Sequence, residues 1–420
     1  MKVLWFTNTP SLAAKELGFK GLTGGWIESL EKRIRNQQQL DLAVAFYWSS
    51  DILKKIANDS GAYYLIPKNN NRVINIFRRI GHKIEPETDM KYFLQIIEDF
   101  KPDLIHIFGT EGPFGLVAKY TKIPVVIHIQ GNITVCLHKW YSGISKIDVL
   151  KNTDIIDLIL AKNYLNIYET QKKVSAREKM IFDNCKNFMG RTEWDKRLVL
   201  CFSNNANYYH CDEILRDEFY GVKWKPPDNN EKLIIITTIR NNIYKGLENV
   251  FETSKILSSK INFEIQIVGT NNNDKIVRLI EKKYKGKLSN CGIVLLGHKT
   301  TKEMIELLLN ADVFIHPSHI DNSPNSVCEA MLLGMPIIST YAGGIPSLLE
   351  NRKDGLLVQD GDPFALAGAI IELSQNKLLA VKLGINARIR AIERHNPEKI
   401  ADEVIGIYRS LLNNNHSCPN

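Results

Sequence analysis

Two carboxylates, Asp321 and Glu329, are separated by seven residues and flank a polar loop. Residues 313–316 predict a strand, and residues 326–333 predict a helix that ends at Gly334. Asp321 would precede this helix and Glu329 would lie on its first turn. Both acids would then face the crevice at the carboxyl end of the strand, where open α/β sheets bind ligands. The amides at the start of that helix favour an anionic or hydroxyl-rich ligand.

A plainer interpretation remains open, in which Asp321 is a loop acid and Glu329 a solvated helix residue. The neighbouring polar residues favour a ligand site instead, as does the later turn Gly343-Gly344. The candidate loop residues are Asn322, Ser323, Pro324 and Asn325.

Two cations, Arg240 and Lys245, follow the predicted strand 232–239, and Lys245 begins the next helix. Fixed cations at a strand end and a helix start can neutralise a pyrophosphate leaving group without transferring a proton. Such a pair is also common on ordinary surfaces, where it has no partner.

The segment 317–346 resembles the signature of retaining GT-B glycosyltransferases of family 4, also called group 1, several of which build bacterial polysaccharides. The matching string is "EAMLLGMPIISTYAGGIP", which begins with Glu329 of the acid pair, and the family's Arg-x4-Lys-Gly is present at Arg240 and Lys245. The sequence departs from the family at three positions. Asp321 occupies the first Glu position, Ser347 replaces an acid, and Ile239 replaces a glycine.

The resemblance implies a role for each matching residue. Arg240 and Lys245 would bind the donor diphosphate, Glu329 the ribose hydroxyls, and Asp321 the donor sugar. The residues Asn322 to Asn325 would contact sugar and phosphate. The remaining donor-side positions that the family suggests are Gly24, Gly25, Gly297 and His298.

The acceptor side is expected in the first part of the chain. Where the family commonly has His-Gly, this chain has Gln130 before Gly131, and a neutral amide cannot act as an acid or base near pH 7. Glu111 is a strand-end acid and a second acceptor-side candidate. His106 and His128 lie within apolar strands and are predicted to be core residues.

The remaining pattern alternates strands and helices, which predicts doubly wound parallel sheets. The resemblance implies an α/β fold of the GT-B type, with two Rossmann-like, doubly wound domains facing a central cleft. We expect an acceptor-binding domain over 1–225 and a nucleotide-sugar-binding domain over 226–395. Residues 396–420 are expected to form a helix that returns to the first domain, followed by a disordered tail over 413–420.

The composition excludes several classes of protein. The net charge of +8 is spread along the chain, and no basic run with interleaved aromatic residues indicates nucleic-acid binding. The seven cysteines contain no C-x2-C pair, and no third ligand accompanies His316 and His319, so we expect no metal. Apolar runs are too short for a membrane span.

The resemblance therefore implies a retaining, metal-independent and cofactor-free hexosyltransferase acting in surface polysaccharide biosynthesis, such as capsule or lipopolysaccharide. Its expected partners are a UDP- or GDP-sugar and a saccharide or lipid-linked acceptor. We expect it in the cytoplasm, with peripheral contact at the inner membrane, for which residues 133–180 are one candidate region. The alternatives are a non-catalytic nucleotide-sugar-binding subunit and a GT-B epimerase or phosphorylase.

Overall fold

The computed structural model describes residues 1–18, 25–37, 40–58, 61–68, 71–85, 87–227 and 231–416. The chain forms two compact units. Unit 1 comprises Met1–Val135, Glu169–Arg216 and His395–Asn420, and unit 2 comprises Cys136–Tyr168 and Asp217–Arg394.

Unit 1 contains an eight-stranded sheet in the order β3-β4-β2-β1-β5-β6-β7-β8. Its neighbouring strands are parallel except for the antiparallel pair of β3 and β4. The strands are β1 (Lys2–Phe6), β2 (Asp41–Trp48), β3 (Lys54–Asn58), β4 (Gly61–Pro67), β5 (Leu104–Phe108), β6 (Val125–His128), β7 (Asn187–Gly190) and β8 (Asn207–His210).

Unit 2 contains a six-stranded, wholly parallel sheet in the order β11-β10-β9-β12-β13-β14. Numbered within the unit, this is the order 3-2-1-4-5-6 of dinucleotide-binding folds, which reverses direction between β9 and β12. The strands are β9 (Leu233–Thr238), β10 (Phe263–Val268), β11 (Ile293–Gly297), β12 (Val313–His316), β13 (Ile337–Thr340) and β14 (Leu356–Val358).

Helices connect the strands of both sheets. The α-helices are α1 (Ala13–Glu16), α2 (Trp26–Arg35), α3 (Arg72–Ile80), α4 (Met90–Phe100), α5 (Ile133–His138), α6 (Lys146–Asn152), α7 (Ile155–Ile159), α8 (Tyr164–Asn184), α9 (Glu193–Phe202), α10 (Leu247–Leu257), α11 (Lys275–Tyr284), α12 (Thr301–Leu309), α13 (Asn325–Leu333), α14 (Ile345–Leu348), α15 (Pro363–Gln375), α16 (Lys377–Arg394) and α17 (Pro397–His416). Short 3₁₀ helices are formed by Glu87–Asp89, Phe114–Lys119, Asp217–Phe219, Ile243–Lys245 and Leu288–Cys291.

Apolar strands generate both cores, as the sequence predicts. Every residue of β5 and β6 is buried. In unit 1, the C-terminal helix α17 packs beside β1, where Trp5 Nε1 donates to Tyr408 Oη over 3.0 Å. His106 Nδ1 lies 2.6 Å from the same hydroxyl, and burial lowers the pKa of His106 to about 3. His106 is therefore a neutral core residue, as predicted.

Residues 136–168 belong to unit 2, whereas the sequence places them in a domain spanning 1–225. Trp140, Ile144 and Val149 are buried in the core of unit 2, and the rings of Trp140 and Tyr244 lie 5.6 Å apart. The segment contributes apolar side chains to a core formed mostly by residues after 232, and this long-range packing leaves no local sequence signal.

Helix ends follow the predicted signals with two corrections. Asp362 Oδ1 caps α15 by accepting from the amides of Phe364 and Ala365, and Gly334 ends α13 with a left-handed φ of 83°. Helix α13 begins at Asn325, one residue earlier than predicted. Helix α17 extends to His416, so a tail beginning at 413 is wrong; residues 417–420 lie outside the described part.

No single helix among the described residues is both long enough and apolar enough to cross a bilayer. The helices Pro363–Gln375 and Lys377–Asn413 meet those criteria only jointly, and they are bent by 104° at their junction.

Candidate active site

The candidate site in unit 2 lies where the strand order reverses, between β9 and β12. These strands pair in parallel through Val313↔Ile235 and Phe314↔Ile236, so their carboxyl ends share one edge of the sheet. The chain leaving β9 leads to Arg240, and the chain leaving β12 leads through His316 to Asp321. The predicted cation and carboxylate segments thus start from adjacent strands.

A tight turn positions Lys245 against the loop that follows β12. Residues Ile243–Lys245 form one 3₁₀ turn, and Gly246 adopts a left-handed φ of 79°. A Cβ on Gly246 would lie only 2.1 Å from the Pro317 carbonyl oxygen. Only glycine permits this approach, which explains the Lys-Gly pair in structural terms.

Lys245 forms an ion pair with Asp321, with 2.6 Å between Nζ and Oδ2. His316 Nε2 lies 3.1 Å from the same oxygen. Burial alone would raise the pKa of Asp321, but the Lys245 ammonium and the His316 imidazole outweigh it and hold that pKa well below its usual range. Asp321 is therefore a carboxylate at neutral pH, and Lys245, predicted only as a diphosphate-binding cation, contacts it directly.

Arg240 differs from Lys245 in its surroundings. It is exposed beyond the end of β9, and its guanidinium forms no hydrogen bond or ion pair with the residues that the structure describes. Among the described residues, a carboxylate therefore compensates Lys245, whereas none compensates Arg240. The uncompensated charge is available to an anionic ligand.

The glycine loop after β13 fixes the backbone of Asp321. The Gly344 amide donates to the Asp321 carbonyl oxygen over 2.9 Å. Gly343 has a φ of 55°, and a Cβ there would lie 1.9 Å from that same oxygen. The two predicted features, the acid and the glycine turn, are thus in direct backbone contact.

Glu329 is the fifth residue of α13 and is only 5% exposed, so the prediction that it lies on the first turn is corrected by about one residue. The interpretation of Glu329 as a solvated residue is wrong, because the whole stretch from Val327 to Leu333 is buried. A buried carboxylate requires polar partners, and Glu329 has such an interaction in this structure.

The loop residues before α13 leave the start of this helix open. Pro324 occupies the N-cap position, and no side chain caps the helix. Asn322 and Ser323 are buried, and the Asn322 amide donates to Asp321 Oδ1 over 3.2 Å. Amides of an uncapped first turn, here beginning with Asn325, can bind an anion.

Gly297 and His298 lie at the same edge of the sheet, at the end of β11. Gly297 has a φ of 67°, and a Cβ there would lie 2.5 Å from Asn271 Oδ1. His298 is exposed. Since β11 is the outermost strand, two strands from β9, these residues stand at the rim of the site rather than at Asp321.

His319 is a residue of this loop whose contacts the sequence does not predict. Its Nε2 lies 2.5 Å from Glu248 Oε1, its Nδ1 lies 3.4 Å from Asp360 Oδ2, and Asp360 pairs with Lys139 over 3.1 Å. Although burial alone would lower it, the two carboxylates raise the pKa of His319. Partners 71 and 41 residues away explain why no local motif identifies this network.

The acceptor-side candidates lie together in unit 1, after the parallel neighbours β5 and β6. The Gln130 carbonyl oxygen accepts from Arg191 Nη2 over 2.8 Å. A Cβ on Gly131 would lie 3.3 Å from Glu111 Oε1, so Glu111 closely approaches the turn after Gln130. Gly25 precedes α2 with a φ of 49°, whereas Gly24 lies outside the described residues.

Among these candidates, Glu111 is the acid whose pKa is raised. Burial, reinforced by the neighbouring Glu178 carboxylate, raises the pKa of Glu111 to about 7. Glu178 itself accepts from Thr110 Oγ1 at 2.6 Å and from Thr134 Oγ1 at 2.7 Å. Burial lowers the pKa of His128 well below its usual value, so His128 is a neutral core residue, as predicted.

Comparison with known proteins finds a family match within unit 2. The family described as "Glycosyl transferases group 1" matches residues 222–390. The recognition made from the sequence is confirmed over this segment, which includes Arg240, Lys245, Asp321 and Glu329.

Curated proteins similar to part of this chain carry the names of glycosyltransferases. The amylovoran biosynthesis glycosyltransferase AmsK of Erwinia amylovora is 31% identical over 40% of this chain and 42% of its own length. The N,N'-diacetylbacillosaminyl-diphospho-undecaprenol alpha-1,3-N-acetylgalactosaminyltransferase of Campylobacter jejuni is 27% identical over 46% and 48%. The matched region is thus less than half the length of either relative.

Solved structures confirm the predicted GT-B fold. Sucrose-phosphate synthase from Thermosynechococcus elongatus superposes with a TM-score of 0.71 at 16% identity, covering 98% of this chain and 99% of that one. Anabaena Alr3699/HepE in complex with UDP and glucose gives 0.66 at 14% identity, covering 98% and 100%. At these identities the likeness concerns the fold alone.

Proposed function

We propose that this protein is a retaining glycosyltransferase that moves a hexose-type sugar from a nucleotide-sugar to a hydroxyl of a saccharide or lipid-linked saccharide in surface polysaccharide biosynthesis. The contact between Lys245 and Asp321, beside the exposed Arg240 and the uncapped start of α13, carries this proposal. UDP- and GDP-sugars are the proposed donors. A neighbour crystallised with UDP and glucose supports a UDP-sugar.

The proposed donor site lies in unit 2. Arg240 and the amides at the start of α13 bind the diphosphate, and Lys245 exchanges part of its contact with Asp321 for a phosphate oxygen. Glu329 binds the ribose, and Asp321 accepts from hydroxyls of the donor sugar. Gly297 and His298 at the rim contact the base. These assignments use the observed placement of each residue at one edge of the sheet.

Charge at the leaving group explains how the transfer proceeds without a metal in this proposal. As the bond from the anomeric carbon to the diphosphate breaks, negative charge develops on a phosphate oxygen. Two cations and helix amides stabilise that charge in a partly buried site. The acceptor oxygen attacks the same face of the sugar, and its proton passes to the leaving phosphate.

Asp321 is an unsuitable nucleophile in this arrangement, because its carboxylate charge is compensated by Lys245 at 2.6 Å. A front-face transfer therefore fits the site better than a covalent glycosyl-enzyme. Isolation of a glycosyl ester on Asp321 would contradict this mechanism. Because Asp is one methylene shorter than Glu, we further propose that this position influences the choice of donor sugar.

We also propose a cytoplasmic enzyme with peripheral contact at the inner membrane. Helices α6 and α7 of unit 2 carry aliphatic side chains that are more than half exposed, namely Ile147, Leu150, Ile155, Ile156 and Ile159. The acids Asp154 and Asp157 pair with Arg278, at 2.6 and 2.7 Å, while Lys146 and Lys151 are exposed. Apolar and cationic side chains on one surface suit an anionic bilayer.

The experiment that tests the function is a transfer assay with a panel of nucleotide-sugars, in which NMR establishes the anomeric configuration of the product. Retention of configuration, with loss of turnover in Arg240→Ala and little change in Lys302→Ala, supports the proposal. Lys302 is an exposed cation on α12 and serves as the matched control. Donor binding without turnover for any acceptor would instead favour a non-catalytic subunit.

A further inference from the structure

A large cavity lies wholly within unit 1. Its volume is about 600 Å³, and its lining includes the acceptor-side candidate Glu111. Such a volume accommodates a sugar together with a phosphate or diphosphate group. Five basic side chains line it: Lys68, Arg78, Arg79, Lys83 and Arg177.

Four acids also line the cavity, namely Asp51, Glu85, Asp89 and Glu111, and two of them contact other lining side chains. Glu85 pairs with Arg177 over 3.0 Å, and Asp89 accepts from Tyr47 Oη over 2.9 Å. In the described part of the chain, Arg78 and Lys83 form no ion pair with a carboxylate. Among the described lining residues, basic side chains thus outnumber acidic ones by five to four, and Arg78 and Lys83 are cations outside any ion pair.

The end of helix α3 brings these cations together. His82 adopts a left-handed φ of 49°, and the Lys83 amide donates to the Arg78 carbonyl oxygen over 2.8 Å. Arg78 Nη2 donates to the Ile84 carbonyl oxygen over 3.1 Å. Cations at a helix C-terminus can be explained by the helix dipole alone. That explanation does not account for their lining one cavity together with Asn75.

Helix α3 presents an apolar stripe beside the same cavity. Ile74, Phe77 and Ile80 are 42%, 68% and 52% exposed. At about 100° per residue, this stripe adjoins the face that carries Arg78 and Arg79. A helix with cations beside an exposed apolar stripe is typical of helices that lie at a membrane interface.

We propose that this cavity binds the phosphate or diphosphate group that links the acceptor saccharide to a lipid, with Arg78, Arg79 and Lys83 contacting the phosphate and the α3 stripe contacting the lipid. The inference rests on the proposed function, since it names the class of acceptor. It places an anion-binding site in unit 1 that is distinct from the donor diphosphate site in unit 2.

The test is isothermal titration of the full chain with three probes: farnesyl diphosphate below its micelle concentration, farnesol and inorganic diphosphate. We expect farnesyl diphosphate to bind at least about tenfold more tightly than either of the others. R78Q/R79Q should weaken this binding at least about tenfold, and K83Q about threefold. These factors correspond to about 1.4 and 0.7 kcal/mol.

The matched control is K119Q/K122Q, which removes the same charge from exposed positions of unit 1 and should change binding less than twofold. Thermal unfolding of each variant shows whether it folds. If R78Q/R79Q is unstable, K83Q still tests the proposal, because it changes an exposed side chain. Unchanged binding by both cavity variants would overturn the proposal.

Two further results separate the sources of the signal. Equal binding of inorganic and farnesyl diphosphate would overturn the lipid-linked acceptor and indicate a soluble phosphate. Loss of binding in R240Q, but not in R78Q/R79Q, would show that the probe occupies unit 2 and would also overturn the proposal. None of these titrations uses a nucleotide, so failure of the donor site would leave them unaffected.

Discussion

Both units contain a largely parallel sheet whose strand order reverses next to the unit's first strand, between β1 and β5 in unit 1 and between β9 and β12 in unit 2. The residues near these two positions differ in their charge. In unit 2, Lys245 and Asp321 meet at 2.6 Å as opposite charges, and glycine backbones fix them. In unit 1, Glu111 is a carboxylate whose pKa is raised to about 7, mainly by burial. One topology thus supports an ionic site in one unit and a weakly charged acid beside a basic cavity in the other.

This difference has a consequence for how each unit would bind its ligand. In unit 2, ligand phosphate competes with an existing carboxylate for Lys245, so binding exchanges one ion pair for another. In unit 1, Arg78 and Lys83 form no ion pair among the described residues, so a phosphate would not displace a carboxylate from either of them. Loss of a single side chain should therefore be more damaging in unit 2.

The largest expected effect is that of Lys245→Ala in unit 2. It removes a cation from the proposed diphosphate site and leaves Asp321, whose side chain is 18% exposed, without its ion-pair partner. We expect the transfer rate to fall at least about 100-fold, in line with the loss of one electrostatic group that stabilises a transition state. Initial rates measured beside Lys302→Ala provide the check. Equal rates in the two variants would show that the cation is misassigned.

Backbone geometry in unit 2 gives the next prediction. Gly343→Ala would place a Cβ at 1.9 Å from the Asp321 carbonyl oxygen and force a φ of 55° on a residue with a side chain. We expect a loss of at least about 2 kcal/mol in unfolding free energy. Gly368→Ala, on an exposed face of α15 with no atom within 4 Å of the new Cβ, should instead stabilise by about 0.5–1 kcal/mol. Denaturant unfolding of both variants would reveal whether that difference in sign exists.

The acid of unit 1 predicts a pH dependence. Because its folded-state pKa is raised to about 7, Glu111 contributes stability below its unfolded pKa of about 4.5, and this contribution is lost as the pH rises through 7. Glu111→Gln should remove this loss. Between pH 5 and pH 8, the unfolding free energy of wild type should therefore fall by on the order of 1 kcal/mol relative to that of the variant.

The control for that measurement is Glu98→Gln, which changes an exposed carboxylate on α4. Unfolding free energies at pH 5 and pH 8 for the three proteins suffice. A Glu111→Gln variant with the same pH dependence as wild type would mean that the carboxylate is not buried as described.

The smallest expected effect on activity is that of His128→Gln in unit 1. The His128 ring packs against Trp26 at 4.9 Å, and neither ring nitrogen forms a hydrogen bond within the described part of the chain. We expect the transfer rate per folded molecule to change by about threefold or less, or about 0.7 kcal/mol in barrier. Glu329→Gln, in contrast, should lower it far more. A comparable loss in both variants would indicate that His128 belongs to the site.

Sequence reasoning identifies most of the site in unit 2 because its residues fall in two short segments, 240–246 and 321–344. Both segments contain a glycine that the local backbone geometry requires. Gly246 and Gly343 are required by approaches of 2.1 and 1.9 Å, and such requirements leave glycine in the sequence. The ion pair between Lys245 and Asp321 spans 76 residues, so only the sheet order reveals it. His319 is missed for the same reason.

The site proposed in unit 1 is harder to predict from the sequence. The cavity combines residues as distant as Lys68 and Arg177, and none of them belongs to a short motif. Residues 136–168 show the same limit, since their assignment to unit 2 depends on Trp140 packing in a core built by later strands. The positions of strands could be predicted from apolar runs, but which distant side chains share a cavity could not.

The central claim is that unit 2 binds a nucleotide diphosphate through Arg240 and Lys245. The most direct test is a thermal shift of the full chain with UDP, GDP, CDP and ADP, on wild type, Lys245→Ala and Lys302→Ala. A nucleotide at a hundred times its dissociation constant adds about 2.7 kcal/mol, which is a readily measured shift. We expect one nucleotide to stabilise wild type and Lys302→Ala, and we expect this stabilisation to be absent in Lys245→Ala. Stabilisation by none of the four, or an unchanged shift in Lys245→Ala, would contradict it.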